Sequence, residues 1–424
     1  MTNPNIPDSP FPRVVIIGAG FGGINLVKAL RKKPFQVVLI NRNNYHFFQP
    51  LLYQVATAGL EPGSIAFPLR GLFKPKENFI FRVAEVKQIN HDQNSIETTI
   101  GQIKYDNLVI ATGSTSNYFG NQHIEDLALG MKSLYEAIGL RNFGLQELEH
   151  CLLLSTKQEK KELLNVVIAG GGPTGVELAG ALAEFRKTIF SKDYPELSTD
   201  LMEIHLIEGN PRLLSNMSAK ASAYTFKSLT KMGVSIRLNT KVNDYDGENA
   251  ILSDGTTIVT KYFIWSAGVK GNIPPGLHAE MIEKNSRIRV NEFNQVHGLT
   301  NVFAIGDVAQ MTTDARYPKG HPMLAQVAIQ QGKKFGKNLM NIRNNKSLSP
   351  FIYWDKGSMA TIGRNKAVAD IGRIHVTGFF AWVIWLTIHL MFLMGFRNKL
   401  IVFINWMYSY FTYDRGARIL LKRH

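Results

Sequence analysis

The chain has 424 residues, enough for two or three domains with full hydrophobic cores. Its formal net charge of +15 favours an anionic partner such as a lipid surface, a nucleic acid or a nucleotide. A single cysteine, Cys151, excludes an internal disulfide and a Cys-x-x-Cys redox pair. Residues 1–11 lack a basic segment followed by an apolar run, so we expect no signal peptide and a reducing, cytosol-facing location.

The first predicted module is a strand, a glycine-rich loop, a helix and a second strand. Residues 13–18 form the first strand, a helix runs to Arg31, and residues 35–40 form the second strand, followed by Asn41 and Arg42. Further strands are predicted within residues 79–90 and 96–110. This order is typical of a nucleotide-binding βαβ unit. Its candidate cofactor-binding residues are Gly18, Gly20, Phe21, Gly22, Gly23, Asn41, Arg42, Val86, Ala111, Thr112 and Gly113.

A second module repeats this order. Residues 165–169 form a strand, a helix begins at about Val176, and residues 203–207 form the next strand. The polar stretch Arg186–Asp200 is interpreted as an insertion after that helix. Two glycine motifs in matching positions predict two dinucleotide-binding modules, whereas one match could be a tight turn without a nucleotide. The candidate residues here are Gly170, Gly172, Pro173, Thr174, Gly175, Glu208, Ala267 and Gly268.

The residue that ends the second strand of each module is expected to contact a ribose. Glu208 can accept both ribose hydroxyls and repels a 2′-phosphate, which favours NADH over NADPH, although the nearby Arg212 could soften that preference. Asn41 holds the same place in the first module and would bind a ribose more weakly. The alternative for Asn41 is an ordinary turn residue at a strand end.

Three further groups are candidates for cofactor or substrate contacts. Gly306-Asp307 follows an apolar strand and suits a ribityl contact, although alone it is a common turn. Glu177 is either a helix-start carboxylate or a proton relay to a quinone. Gln326, Gln330 and Gln331, after Ala325, could donate to a quinone carbonyl or to a flavin, and the alternative is a solvated helical face.

The C-terminal part becomes strongly apolar. Val376–Phe396 is long enough to span a membrane, and its Trp382 and Trp385 would suit a membrane interface. In Leu400–Tyr413, polar side chains share one face, as in a helix that lies in the interface. The alternative is a buried helical hairpin or an oligomer interface. From residue 397 onward the net charge is +5, from Arg397, Lys399, Arg415, Arg418, Lys422 and Arg423 against Asp414.

Together these residues resemble the type II, non-proton-pumping, single-subunit NADH:quinone oxidoreductases of the two-dinucleotide-binding-domain flavoprotein superfamily. The more specific stretches are residues 44–59, 325–331, 395–398 and 415–418. The resemblance implies FAD bound non-covalently in the first module and NADH bound as substrate in the second. It implies a quinone pocket lined by residues 325–331, with Glu177 serving quinone reduction or proton relay. Asn41 departs from the acidic residue usual at the FAD ribose.

The resemblance also implies an α/β fold with two Rossmann-like dinucleotide-binding domains, the NADH domain inserted into the FAD domain, plus C-terminal membrane-associating helices. We predict an FAD-binding domain at residues 12–160 and 286–345, an NADH-binding domain at 161–285 and a C-terminal region at 346–424. The helices would attach to the cytoplasmic face of the inner membrane without crossing it, on anionic lipid, and a homodimer is possible. The predicted catalytic residues are Glu177, Gln330 and Gln331, with no metal.

Other functions on this fold have weaker support. Disulfide reductases and sulfide:quinone reductases need paired cysteines, and a soluble ferredoxin or rubredoxin reductase would not need the apolar tail. Nucleic-acid binding lacks an aromatic and basic platform. A nucleotide-sensing membrane protein that turns over no quinone remains a competing hypothesis.

Overall fold

The computed structural model describes residues 3–72, 78–414 and 416–420, so Arg415, Lys422 and Arg423 of the predicted basic tail lie outside the described residues. The strands are β1 Arg13–Ile17, β2 Gln36–Asn41, β3 Tyr45–Phe47, β4 Ala66–Pro68, β5 Phe79–Val83, β6 Val86–Asn90, β7 Ser95–Thr98, β8 Gly101–Lys104, β9 Asn107–Ile110, β10 Ser114–Ser116, β11 Val166–Ala169, β12 Ile204–Ile207, β13 Val234–Arg237, β14 Val242–Tyr245, β15 Asn249–Leu252, β16 Thr257–Val259, β17 Tyr262–Trp265, β18 Val269–Gly271, β19 Ile288–Val290, β20 Val302–Ala304, β21 Ala309–Met311, β22 Ser358–Gly363, β23 Lys366–Ile371 and β24 Ile374–Gly378. The helices are α1 Phe21–Leu30, α2 Leu52–Ala56, α3 Pro62–Ile65, α4 Leu69–Leu72, α5 Gln122–Leu127, α6 Leu134–Leu153, α7 Lys157–Leu164, α8 Pro173–Phe185, α9 Ser191–Asp193, α10 Ala219–Lys231, α11 Ala325–Arg343, α12 Phe379–Phe392 and α13 Phe396–Thr412.

The first compact unit comprises Met1–His46, Phe67–Thr115 and Val269–Asp355. It contains a five-stranded parallel sheet in the order β20-β9-β1-β2-β5. Strands β1 and β2 are continuous runs of mostly buried Val, Ile and Leu, as expected for a parallel sheet that is covered on both faces. Helix α1 packs closely on α11, where a side chain at Gly332 would come within 2.5 Å of the Gly22 carbonyl oxygen.

The second compact unit comprises Phe47–Ala66, Ser116–Gly268 and Lys356–His424. It contains a four-stranded parallel sheet in the order β13-β12-β11-β17. Two antiparallel three-stranded sheets, β14-β15-β16 and β22-β23-β24, belong to the same unit. The prediction of an α/β chain with two Rossmann-like sheets is confirmed.

The structure adds detail to three local predictions. The second module's helix begins at Pro173, three residues before the predicted Val176. The predicted polar insertion begins with a π-helix at Arg186–Phe190, which continues α8. Its Ile189 and Phe190 are buried and belong to the core. The predicted strand stretch 79–90 is divided between β5 and β6, and β6 belongs to a separate antiparallel sheet with β7 and β8.

The C-terminal apolar stretch is also organised differently from the prediction of one long segment. Val376 lies in β24, α12 has 14 residues, and a turn separates it from α13. Gly378 and Gly395, both at a φ of +80°, precede the two helices, and this backbone conformation interrupts helical continuity. Within residues 3–72, 78–414 and 416–420, no helix combines the length and the apolar character needed to cross a membrane.

Candidate functional site

The first glycine loop in the first unit has the geometry of a phosphate cradle. Gly18 has a φ of +104°, and a side chain there would collide with the Ala111 carbonyl oxygen. A side chain at Gly23 would collide with the Gly18 carbonyl oxygen, which explains the close packing of helix on loop. A Cβ at Gly20 would meet no atom within 4 Å, and α1 begins one residue later without a side-chain cap. Backbone N–H groups therefore face open space at a helix N-terminus, which suits a pyrophosphate.

The second glycine loop repeats this geometry in the second unit. Gly170 has a φ of +109° and lies against Ser266 and Ala267, and a side chain at Gly175 would collide with the Gly170 carbonyl oxygen. A Cβ at Gly172 would meet no atom within 4 Å, and α8 begins at Pro173 without a side-chain cap. Pro173 at the first helical position gives up an N–H that the helix could not use, and Thr174 and Gly175 follow.

The two residues at the strand ends brace these loops. Asn41 accepts the Ala19 N–H through Oδ1 at 2.9 Å and donates through Nδ2 to the Asn43 carbonyl oxygen at 2.8 Å. Glu208 accepts the Gly171 N–H through Oε2 at 2.5 Å, and its Oε1 accepts from Asn210. The predicted ribose contacts of both residues stay predictions, but each holds the middle of its loop in place.

The turn at Gly306-Asp307 lies beside α11 within the first unit. Asp307 accepts a hydrogen bond from the Ser114 hydroxyl at 2.7 Å, and the Gly306 N–H donates to Gln331 Oε1 at 2.7 Å. Gly306 itself has a φ of +76° and lies against Ala328. Ser114 did not stand out in the sequence, although its place directly after Gly113 was a usable signal.

The glutamines of α11 have defined structural partners. Gln331 is 1% exposed and holds the Gly306 turn. Gln330 donates to the Trp354 carbonyl oxygen at 2.8 Å and accepts the Trp354 N–H at 3.1 Å. Their roles toward a quinone stay predictions. The alternative of a solvated helical face is wrong for Gln331, because its side chain is buried.

The other predicted residues of the first module also lie in the first unit. The Thr112 hydroxyl donates to the Asn272 carbonyl oxygen, and Gly113 has a φ of +71° with open space where a side chain would begin. Arg42 is exposed after β2, Val86 begins β6, and Gly22 packs against Ile305. Ala325 begins α11, followed by Gln326.

A buried histidine that sequence reasoning did not single out adjoins the first glycine loop. His46 Nδ1 is 2.9 Å from the Ala19 carbonyl oxygen, and its ring lies edge-on to Phe21. Burial lowers the pKa of His46 to about 4, so the ring is neutral at pH 7. Its Nε2 is buried without a hydrogen-bond partner among the described residues. The open space at Gly20 and this orphaned nitrogen both fit a bound dinucleotide, as the predicted FAD would be.

Glu177 lies in the second unit, on the fifth residue of α8, and it is 9% exposed. Burial raises the pKa of Glu177 to about 8, while the Thr361 N–H at 3.3 Å and the Trp385 side chain act in the opposite direction. The carboxyl group is therefore largely protonated at neutral pH. A solvated helix-start carboxylate would be charged, so burial argues against the simpler interpretation of Glu177.

Glu177 lines a cavity of about 430 Å³ whose lining residues all belong to the second unit. Helices α2 and α8 and strand β22 form part of the wall, together with aromatic and aliphatic side chains of α12 and α13 and the charged Arg364. Trp385, expected at a membrane interface, is instead 1% exposed and stacks on His389. A mostly apolar pocket of this size with few polar groups suits a drug-sized aromatic ligand.

A hydrogen-bonded chain joins two walls of this cavity. Trp406 Nε1 donates to Gln54 Oε1 at 2.8 Å, and Gln54 Nε2 donates to the Tyr53 hydroxyl at 2.8 Å. Tyr53 and Gln54 belong to the specific stretch 44–59, within which the sequence pattern alone singles out neither residue. Burial lowers the pKa of His389 to about 4, so this side chain adds no charge to α12 at pH 7.

Comparison with known proteins identifies the family. The Pyridine nucleotide-disulphide oxidoreductase family model matches residues 12–332, and the NDH2 C-terminal domain model matches residues 355–413. A protein of Mycobacterium tuberculosis named type II NADH:quinone oxidoreductase Ndh is 36% identical, covering 95% of this chain and 89% of its own length. The internal alternative NAD(P)H-ubiquinone oxidoreductase A1 of Solanum tuberosum is 31% identical, with 93% and 86% covered.

The fold is also found among solved structures. NDH2 from Plasmodium falciparum, in complex with NADH, superposes with a TM-score of 0.89 at 22% identity, covering 97% of this chain and all of that one. At this identity the match establishes the fold. With two family models and two full-length relatives above 30% identity, the chain belongs to the type II NADH:quinone oxidoreductases, within the pyridine nucleotide-disulphide oxidoreductase family.

Proposed function

We propose that this protein oxidises NADH and reduces a membrane quinone without pumping protons, using FAD held non-covalently in the first unit. The observation that carries this proposal is the buried carboxyl group of Glu177 on the wall of an aromatic cavity, on the helix that begins at the second glycine loop. The names of the full-length relatives supply the donor and acceptor classes.

The chain's own residues would hold the two nucleotides. In the first unit, the loop from Gly18 to Gly23 would bind the FAD pyrophosphate, with Asn41 and Asp307 toward its ribose and ribityl hydroxyls. In the second unit, the loop from Gly170 to Gly175 and Glu208 would bind NADH. When bound, the flavin supplies hydride acceptance and two-electron donation, chemistry that no side chain here can provide.

Glu177 would supply a proton at the quinone. Reduction of a quinone to a quinol takes two electrons and two protons, and a carboxyl group that stays protonated near neutral pH can give one of them to a quinone oxygen. The Thr361 N–H donates to Oε1 of the Glu177 carboxyl group, so β22 orients this proton donor. The remainder of the cavity wall is mostly apolar, which limits the number of polar groups that compete for the quinone oxygen.

The C-terminal helices support attachment to a membrane surface. Phe380, Met391 and Phe396 are 73%, 68% and 82% exposed, and on α13 the side chains of Ile404 and Phe411 are also exposed. Outward aromatic and aliphatic side chains near basic residues suit insertion into the headgroup region of anionic lipid. We propose peripheral attachment at the cytoplasmic face of the inner membrane, and a homodimer through these helices remains a prediction.

An anaerobic spectroscopic experiment tests the function. The purified holoprotein is mixed with NADH until the flavin absorbance is bleached, and a short-chain quinone is then added. We expect bleaching followed by stoichiometric reoxidation. A flavin that is bleached by NADH but stays reduced with quinone would favour a nucleotide-sensing protein or a reductase for another acceptor.

A further inference from the structure

A second and much smaller cavity lies in the second unit. Its volume is about 30 Å³, and its walls are mainly apolar side chains of α6 and α8 together with the end of α2. Thr57 lines this cavity and the larger one that contains Glu177, so α2 separates the two spaces. Leu182 of α8 lines the small cavity, and its neighbour Ala181 lines the large one.

One charged residue that lines this cavity is Arg141, in the middle of α6. Its side chain is among the buried charged groups, with the residue only 3% exposed. Its Nε is buried without a hydrogen-bond partner in the described part of the chain. An arginine carries five N–H donors in a fixed plane and stays charged in proteins, so a buried guanidinium normally has a carboxylate or several carbonyl groups around it.

Among the described residues, no carboxylate lies within ion-pair distance of this guanidinium. The Tyr262 hydroxyl, on the same wall, donates to the Leu140 carbonyl oxygen. Glu147 also lines the cavity, but its carboxylate lies 3.7 Å from His150. Glu61 acts on Arg141 electrostatically from a distance and is itself exposed. Burial lowers the pKa of Arg141, which reports the same unfavourable desolvation.

We propose that the small cavity binds one small monovalent inorganic anion, of the size of chloride, on the guanidinium group of Arg141. A volume of about 30 Å³ holds one such ion, since a single water needs roughly 10–15 Å³ by the same measure. The space is too small for a quinone, a nucleotide or a lipid headgroup. Two adjacent N–H groups of the guanidinium plane can bind the ion together, which compensates the buried charge.

The position of the site gives the ion a structural consequence. It lies behind α2, which carries Tyr53 and Gln54, and behind α8, which carries Glu177. An occupied site therefore stabilises two walls of the larger cavity from their far side. This inference does not depend on the proposed function, because it concerns anion binding and stability rather than electron transfer.

Thermal unfolding of the full-length holoprotein tests the proposal. The midpoint is measured in sodium chloride and in sodium gluconate at equal ionic strength, since gluconate is too large for the cavity. We expect the unfolding temperature of the native protein to rise with chloride concentration at constant ionic strength and to reach a plateau. Equal midpoints in the two salts across the titration would overturn the proposal.

Two variants separate the specific site from general salt effects. Arg141→Met should abolish the chloride dependence, and in gluconate it should be at least as stable as the native protein because it removes an uncompensated buried charge. Arg237→Met is the matched control, since Arg237 is partly exposed and paired with Asp254 at 3.3 Å, and it should keep the full chloride dependence. If Arg237→Met alone lost the chloride dependence of the unfolding midpoint, the assignment of the anion site to Arg141 would be contradicted.

Crystallography of the native protein provides a readout that needs no variant. Crystals grown with sodium bromide should show an anomalous scattering peak within hydrogen-bonding distance of the Arg141 guanidinium. A water molecule at that position, with no anomalous signal at saturating bromide, would overturn the proposal.

Discussion

Asn41 accepts the backbone N–H of Ala19 at 2.9 Å, which connects the end of β2 to the middle of the first glycine loop. In the second unit Glu208 makes the equivalent connection to Gly171. An amide and a carboxylate therefore brace the two loops in the same way. They differ in charge, because Asn41 contributes no negative charge to the first loop.

Replacing Asn41 by alanine should weaken flavin binding. The loop loses one hydrogen bond, worth about 1 kcal/mol, so we expect the dissociation constant for FAD to rise about fivefold. Reconstitution of the apoprotein, followed by flavin fluorescence, measures this constant. Asn43→Ala is the matched control, since Asn41 uses only the backbone carbonyl of Asn43. Equal FAD affinity in Asn41→Ala and the native protein would remove Asn41 from the site.

Replacing Glu208 should weaken NADH binding and relax selectivity. Glu208→Ala removes both the brace on Gly171 and the predicted ribose acceptor, so we expect the KM for NADH to rise about tenfold or more. Glu208→Gln keeps an oxygen for Gly171 and loses the negative charge, so its KM for NADPH should fall relative to that of the native protein. Steady-state kinetics with both nucleotides measures the change. An unchanged KM for NADH in Glu208→Ala would exclude this residue from the nucleotide site.

The raised pKa of Glu177 predicts a pH dependence of quinone reduction. Below about pH 8 the carboxyl group is protonated and can donate, and above it the rate of flavin reoxidation by quinone should fall. Glu177→Gln cannot donate, so we expect a loss of about a hundredfold at pH 7 with no such pH profile. Stopped-flow absorbance of the reduced flavin measures this step. Reduction of the flavin by NADH is the internal control and should be retained.

The same pKa has a consequence for stability. The folded protein holds the Glu177 proton more tightly than the unfolded chain, so its contribution to stability is present below the ordinary pKa near 4.5 and is lost as the pH rises toward 8. Glu177→Gln should therefore unfold at a higher denaturant concentration than the native protein at pH 8.5, and the difference should narrow toward pH 5.

The sequence predicted the backbone of the two glycine-rich loops, because glycine spacing reports a local backbone requirement. Gly18 and Gly170 have positive φ angles, and Gly23 and Gly175 have no room for a side chain. The wall opposite Glu177 was not predictable in this way. Thr361 and Trp385 come from β22 and α12, far along the chain, and they reach Glu177 only through tertiary packing. The prediction of one long apolar segment was wrong for a related reason. A count of apolar residues contains no information about the backbone break at Gly378.

The contact between α8 and β22 should be sensitive to a single methyl group. A side chain at Gly180 would collide with the Ile362 carbonyl oxygen, so Gly180→Ala should lower the free energy of unfolding by about 1–3 kcal/mol and slow quinone reduction by moving Glu177 from Thr361. Gly139→Ala, in α6, meets no atom within 4 Å and should be neutral or stabilise by about 0.5–1 kcal/mol. Denaturant titration compares the two, and equal effects would contradict the close packing.

The exposed apolar face of the last two helices should determine membrane binding. Phe396→Ser combined with Phe411→Ser should reduce binding to anionic vesicles at high salt, since each large apolar side chain contributes about 1.5–3 kcal/mol when buried. Leu153→Ser is the control, because Leu153 is 81% exposed on α6. Deleting everything after His375 is a less selective experiment, because it also removes Trp385 from the cavity that contains Glu177. Unchanged sedimentation of the double variant with vesicles would contradict the attachment surface.

Helix α8 begins at the second glycine loop, carries Glu177 on its fifth residue and packs along β22 through Gly180. Glu177 is therefore only about one helical turn from the loop, on the same helix of 13 residues. A nucleotide that draws the loop toward its phosphates would therefore shift the carboxyl group by a similar amount, without any hinge between them. NADH binding and proton delivery by Glu177 would then be mechanically coupled. The moment at which Glu177 delivers its proton would depend on whether the nucleotide is still bound.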